Sequence, residues 1–97
     1  MYQLFITSQF KKDLKKLKKR QPDFALTVKV LKVLQHKGVH GITSRMRPHR
    51  LKGKYADTWE CHLKPDLLII WLQFETPKII RLVRIGSHYE LFGYTSS

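Results

Sequence analysis

Three histidines, an aspartate and an arginine in the second half of the chain have the residue types needed for acid–base chemistry. They are His49, His62, Asp66, Arg84 and His88. Imidazole exchanges protons near neutral pH because its ordinary pKa lies close to that range. RNA cleavage without a metal needs a base for the 2′-hydroxyl proton, an acid for the departing 5′-oxygen, and a fixed cation for the phosphorane charge. Together these side chains would supply all three, with no cofactor.

The strand that carries His62 is indicated by strict alternation. Trp59, Cys61 and Leu63 alternate with Thr58, Glu60 and His62, as in a half-buried strand. With the aromatic face toward the core, we expect His62 to point outward on the open side of the sheet. Pro65-Asp66 then forms a turn, where a carboxylate commonly bonds backbone amides.

His88 and Arg84 flank the end of the last predicted strand, which runs over residues 79–85. Gly86 ends the strand, and Ser87-His88-Tyr89-Glu90 matches a capping box that starts a short helical turn. Alternation places Arg84 on the face of Leu82 and Ile80. If this strand neighbours that of His62, the two imidazoles, the carboxylate and the guanidinium converge on one surface.

The elements that must position these groups follow from the rest of the chain. Residues 2–6 predict a first strand, and Thr7 or Ser8 is a candidate helix cap. Phe10, Leu14 and Leu17 recur at helical spacing among lysines. A second helix is predicted over residues 23–37, closed by Gly38 and lying between the first helix and the sheet. Residues 38–48 are expected to form a loop, and residues 67–72 a strand buried on both faces.

This order predicts an α+β domain in which an N-terminal strand and two helices precede a three- to four-stranded antiparallel sheet. The whole chain, residues 1–97, is expected to form a single domain.

The charge restricts the partners. Nineteen Lys and Arg against seven Asp and Glu give a net charge of +12, which attracts nucleic acid, an acidic protein or an anionic membrane. The longest apolar run, residues 67–72, is too short to cross a bilayer, and no signal peptide is recognised. One cysteine favours a reducing compartment, so we expect a cytoplasmic protein.

Other interpretations of the same residues remain open. Each histidine alone could be a solvated surface residue, and Arg84 alone an ion-pair partner. Zinc binding by Cys61, His49, His62 and His88 fits no standard spacing, and Cys61 and His62 point to opposite strand faces. Cys61 is better explained as a small core residue than as a nucleophile. The lysine-rich first helix is either a solvated face or a phosphate-binding surface.

Three segments carry a resemblance to a known family. They are His49-Arg50-Leu51-Lys52-Gly53, then Glu60-Cys61-His62-Leu63-Lys64-Pro65-Asp66-Leu67-Leu68, then Val83-Arg84-Ile85-Gly86-Ser87-His88-Tyr89-Glu90-Leu91-Phe92. In order and spacing they resemble the motifs of the YafQ branch of the RelE toxin superfamily, over nearly the whole chain. The resemblance implies a microbial RNase fold and an mRNA endonuclease that acts on the translating ribosome.

The resemblance also implies roles and partners. It assigns His49, His62, Asp66, His88 and Phe92 to the active site, and gives Arg84 the support of the scissile phosphate. The order of base and acid among His62, Asp66 and His88 stays open. It further implies inhibition by a cognate acidic antitoxin, with no membrane contact and no DNA contact except through the antitoxin.

One departure lies beside His49. The family commonly has proline there, whereas this chain has Arg50, so the backbone is less constrained. Arg50, Lys52 and Lys54 are predicted to contact substrate, and Phe92 to stack on a base. The alternative function is a member of the superfold that binds RNA or protein without cleaving, since fold alone does not determine activity.

Overall fold

A computed structural model describes residues 1–93 of the chain. Five strands and three α-helices occur in it. The strands are β1 (Gln3–Ile6), β2 (His49–Arg50), β3 (Trp59–Lys64), β4 (Leu67–Glu75) and β5 (Lys78–Gly86). The helices are α1 (Ser8–Leu17), α2 (Gln21–Lys37) and α3 (His88–Phe92). The last four residues of the predicted 97-residue domain lie outside the described residues.

The strands form one mixed sheet in the order β1-β5-β4-β3-β2. Strands β2 to β5 pair antiparallel, whereas β1 pairs parallel with β5. The α+β class and the order of strand, helices and sheet are confirmed. The sequence did not indicate the parallel pairing or the two-residue β2, because neither leaves a periodic pattern long enough to read.

The local signals at the helix ends act as predicted. The Thr7 side chain accepts from the amide of Phe10 at the start of α1. Gly38 ends α2 with a positive φ of 63°, a conformation that glycine adopts without a steric penalty. The Ser87–Glu90 capping box at α3 is present in both directions.

The main core lies between the helices and one face of the sheet. Phe10, Leu34 and Trp71 are its largest fully buried members contributed by α1, α2 and β4. The prediction that α2 lies between α1 and the sheet is wrong in part. Val28 and Val33 of α2 are 37% and 36% exposed, because α1 contacts β5 directly and both helices lie on the sheet.

The second face of the sheet is not open, which corrects the outward orientation predicted for His62. Leu68 and Ile70 of β4 form a second buried cluster there with Leu91 of α3. Tyr55 and Phe92 pack against this cluster. Glu60 is consequently buried and His62 half-buried.

A β-bulge near the end of β5 changes the face of one predicted site residue. Ile70 pairs with Arg84 but Trp71 pairs with Leu82, so Val83 is the extra residue of the bulge. Arg84 therefore aligns with Ile70 of the second face, and the prediction that it shares the face of Leu82 and Ile80 is wrong. A bulge inverts all alternation beyond it.

Asp13 ties α1 to β5 just beyond the end of β1. Its carboxylate accepts from Nε of Arg84 at 2.8 Å, from Nη2 of Arg84 at 3.2 Å, and from the amide of Ile85 at 3.0 Å. Asp13 is buried, so its charge needs this pairing. No helix within residues 1–93 is both long and apolar enough to span a membrane.

Replacing Asp13 with alanine should lower the free energy of unfolding by about 3 kcal/mol, because the partly buried Arg84 guanidinium and a strand amide lose their partner. Urea denaturation measures this loss. The matched control is Lys12→Ala on the exposed side of the same helix, which should change stability by no more than about 0.5 kcal/mol. Equal effects of the two substitutions would contradict the anchoring role of Asp13.

Candidate acid–base site

Three imidazoles gather at the end of the sheet where β3 meets the turn to β4. The His62 ring lies in the middle, with its centroid 6.2 Å from that of His49 and 5.7 Å from that of His88. The structure brings His62, His88 and Asp66 together as predicted, whereas Arg84, which was predicted to join them, is bonded to Asp13 of α1. Their chemical roles stay predictions at this point.

Strand pairing explains the convergence. His49 of β2 pairs with Glu60 of β3, and His62 pairs with Leu68 of β4. Leu68 in turn pairs with Gly86 at the end of β5. Because paired residues point to the same face of a sheet, His62 lies beside the start of α3, where His88 is the first helical residue.

Asp66 fixes the orientation of His88. Its Oδ1 accepts from the ring Nδ1 of His88 at 2.7 Å and from the His88 backbone amide at 2.9 Å. These two bonds, the backbone bond first, hold the pKa of the Asp66 carboxyl below its usual range. Asp66 is therefore ionised, and a proton on Nδ1 of His88 leaves Nε2 as the nitrogen available to a substrate.

The surroundings of His62 disfavour a positive charge on its ring. Burial lowers its pKa first, and the charges of Arg47, His88 and His49 lower it further, against a smaller opposing contribution from the Met46 backbone. A histidine with a depressed pKa is neutral near pH 7 and can accept a proton. His62 is therefore suited to act as a base.

Glu60 is a site residue that the sequence analysis did not select. It is only 4% exposed, and its Oε1 lies 3.1 Å from Nε2 of His49. The other ring nitrogen of His49, Nδ1, lies 2.8 Å from the carbonyl of Arg47. Both nitrogens of His49 are thus occupied, which fixes its ring beside His62.

Burial raises the pKa of the Glu60 carboxyl, while the charges of His49 and His88 lower it. Its Oε2 has no hydrogen-bond partner within the described part of the chain. The alternation of β3 had placed Glu60 on the face of His62. Glu60 is buried at that position because Tyr55 and α3 cover the second face of the sheet.

Arg84 is held away from solvent by other groups. Its guanidinium bonds Asp13 of α1, and its Nη1 donates to the Tyr55 hydroxyl at 3.4 Å. Tyr55 donates in turn to the carbonyl of Leu91 in α3 at 3.2 Å. The Asp13 hydrogen bond is the main reason that the pKa of Arg84 is raised. Arg84 thus connects α1 with α3 through Tyr55, the last residue of the 3₁₀ turn Gly53–Tyr55 (the Tyr55 turn).

The predicted substrate-binding residues are divided between two faces. Phe92 is half-buried and meets the Tyr55 ring edge to face at 5.6 Å, while Lys54 lies over the same ring at 5.4 Å. Arg50 lies over Trp59 at 5.5 Å and near Asp57, so it points away from the face of His49. Lys52 is exposed.

Cys61 lies on the core side of β3, facing away from the imidazoles. It is fully buried, and burial raises the pKa of its thiol to about 12. A thiol in this state is neither a nucleophile nor a ready metal ligand. The structure thus agrees with a core role for Cys61.

The fold and the site together define a small basic α+β protein with a cluster of three imidazoles, each on a different element, at one end of a mixed sheet. Comparison with known proteins makes the assignment specific. Residues 2–93 match the family described as bacterial toxin of type II toxin-antitoxin system, YafQ. The chain belongs to this family, which confirms the resemblance drawn from its motifs.

Similar proteins of known sequence or structure agree with this assignment. The mRNA interferase toxin YafQ of Escherichia coli K12 is 30% identical over 87 residues, which is 90% of this chain and 91% of that protein. A metal-bound toxin from Helicobacter pylori is 39% identical and superimposes with a TM-score of 0.81 over 95% of this chain and all of that one. YafQ in the E. coli DinJ-YafQ toxin-antitoxin complex is 25% identical with a TM-score of 0.82, over 95% and 98% of the two chains.

The Cys61 thiol should resist alkylation in the folded protein, because it is buried and its pKa is near 12. Mass spectrometry after iodoacetamide treatment at neutral pH measures this, with urea-unfolded protein as the reactive control. Cys61→Ala should keep any RNA cleavage activity. Rapid modification of the native protein would contradict the core role of the thiol.

Proposed function

We propose that this protein is an endoribonuclease toxin that cleaves mRNA by general acid–base catalysis. The observation that supports it most directly is the 5.7 Å separation of the His62 and His88 rings, with Asp66 bonded to Nδ1 of His88. Membership of the YafQ family and the name of the E. coli relative, mRNA interferase toxin, support the substrate class.

In the proposed reaction, neutral His62 removes the proton of the 2′-hydroxyl. The 2′-oxygen attacks the adjacent phosphorus, and the bond from phosphorus to the 5′-oxygen breaks. Protonated His88 gives its Nε2 proton to the departing 5′-oxygen. The products are a 2′,3′-cyclic phosphate and a 5′-hydroxyl, and each positioned acid or base contributes about 10²- to 10⁴-fold.

Asp66 and His49 complete the site by supporting the two reacting imidazoles. Ionised Asp66 accepts from Nδ1 of His88 and keeps its Nε2 directed toward substrate. His49, held by Glu60 and the Arg47 carbonyl, stacks beside His62 and restricts the position of its ring. We propose that Arg84 acts as a positioning residue, since Asp13 and Tyr55 occupy its guanidinium.

The partners follow from charge and family. An acidic antitoxin would complement the net charge of +12, and the E. coli relative forms a complex with the antitoxin DinJ. Lys52 and Lys54 are proposed to contact RNA phosphates, and Phe92 to stack on a base. We further propose that cleavage takes place on the translating ribosome, where a basic protein of this size meets both mRNA and ribosomal RNA.

The acid–base scheme assigns every proton transfer to a side chain and does not require a metal. The toxin from H. pylori is metal-bound, so removal of metal is a direct test of this scheme. Purified protein should cleave RNA equally well before and after treatment with a strong chelator. Loss of cleavage that zinc or copper restores would overturn the metal-independent scheme.

Replacing His88 with alanine should reduce RNA cleavage by about 10²- to 10⁴-fold and abolish growth arrest, because the leaving oxygen loses its acid. His62→Ala should have an effect of similar size. The matched control is His36→Ala on the exposed side of α2, which should act as wild type. Growth after induction and mapping of transcript ends measure both properties.

If wild type and His88→Ala arrest growth alike and no transcript is cut, the nuclease proposal fails. The protein would then act as a non-catalytic member of the same superfold, through binding alone.

The low-pH limit of cleavage should lie below the ordinary histidine pKa of 6.5. His62 must be neutral to act as a base, and burial with neighbouring cations lowers its pKa. Lowering the pH through that depressed pKa protonates His62 and stops the reaction. Single-turnover rates from about pH 5 to about pH 8 measure this acidic limb of the pH–rate profile. A midpoint above 6.5 would contradict His62 as the base.

A further inference from the structure

An open cleft of about 880 Å³ lies beside His62. Its volume falls within the range of about 300 to 1,000 Å³ typical of small-molecule sites, which is enough for one nucleotide. One wall is the segment between α2 and β2, and the other is the end of β3. The lining residues are Thr43, Ser44, Arg45, Met46, Arg47, His62, Leu63, Lys64 and Pro65.

Two cations in this cleft have no carboxylate partner among the described residues 1–93. Several other basic groups of the molecule are paired: Arg84 with Asp13, Lys64 with Asp23, and Arg50 with Asp57. Arg45 and Arg47 are exposed, and neither makes an ion pair within residues 1–93. Arginine is well suited to bind phosphate because its planar guanidinium can donate two parallel hydrogen bonds.

The backbone fixes Arg47 next to the imidazoles. Arg47 has left-handed dihedral angles, φ 51° and ψ 58°, which cost a non-glycine residue on the order of 1 kcal/mol. Its carbonyl bonds Nδ1 of His49 at 2.8 Å, and the preceding Met46 packs against the main core. Segment 43–47 is thus held to the core through Met46 and to His49 through the Arg47 carbonyl, and the positive charge of Arg47 lowers the pKa of His62.

We propose that this cleft binds the nucleotide next to the scissile phosphodiester of a single-stranded RNA, with Arg47 and then Arg45 holding its phosphate. The proposal rests on the nuclease function proposed above and supplies the cation that Arg84, paired with Asp13, is not free to provide. Thr43 and Ser44 add hydroxyl groups for the sugar and phosphate oxygens. An RNA strand lying across His62 and His88 has to leave the imidazoles on one side, and this cleft is contiguous with His62.

The test measures binding of a short RNA whose 2′-hydroxyls are methylated, so that it cannot be cleaved. Fluorescence anisotropy gives the Kd at several salt concentrations. Arg47→Gly suits the left-handed backbone and should keep the fold. It should weaken binding several-fold and reduce the slope of log K against log salt by about 0.7, the value for one phosphate contact of a single strand. Arg45→Ala should act in the same direction.

The matched control is Lys78→Ala, which removes the same charge at the opposite end of the β4–β5 hairpin and should leave the slope unchanged. A second measurement is the NMR titration of His62, whose pKa should rise in Arg47→Gly because a nearby positive charge is removed. A structural role of Arg47 alone would not change the salt slope.

The two proposals fail separately. If wild type cleaves RNA while Arg47→Gly and Arg45→Ala bind RNA with the slope of Lys78→Ala, the cleft proposal is overturned and the nuclease proposal stands. If the two arginine variants lose slope but wild type cuts no RNA, the cleft is supported and the nuclease proposal falls. Weaker binding of the antitoxin with unchanged RNA binding would also overturn the cleft proposal, in favour of a protein-binding role.

Discussion

The two-sided burial of β4 is the constraint on which the rest of this structure depends. Leu67, Ile69 and Trp71 face the helices, while Leu68 and Ile70 face the other way. A sheet with apolar residues on both faces must be covered on both. The second face is covered only by the Tyr55 turn and the short helix α3. The polar side chains of the site lie on the rest of this face, where they are partly buried.

This partial cover gives the imidazoles their properties. His62 is half-buried, so its pKa falls, and Glu60 is buried beside His49. On an uncovered sheet the same residues would be solvated and their pKa values close to ordinary. The link from Arg84 through Tyr55 to Leu91 keeps α3 on the sheet. The packing that stabilises the second face therefore also positions His88.

The molecule separates its basic groups into those that support the fold and those that remain available to an anion. Arg84 forms an ion pair with Asp13, and Arg50 lies against Trp59 on the face away from His49. Within residues 1–93, Arg45 and Arg47 make no ion pair, and both line the cleft beside His62. A net charge of +12 attracts polyanions to the whole surface. The proposed cleft at Arg45 and Arg47 provides one defined site where a phosphate would bind.

Local patterns in the sequence determined the helices, the caps at Thr7 and Ser87, the alternation of β3 and the identity of the reactive residues, because each depends on neighbours within a few positions. The family motifs determined the class of protein. The tertiary structure alone decided the face of Arg84, because one extra residue at Val83 inverts the alternation of β5. It alone decided the burial of Glu60 and the pairing of β1 with β5, since both depend on contacts between segments distant in the chain.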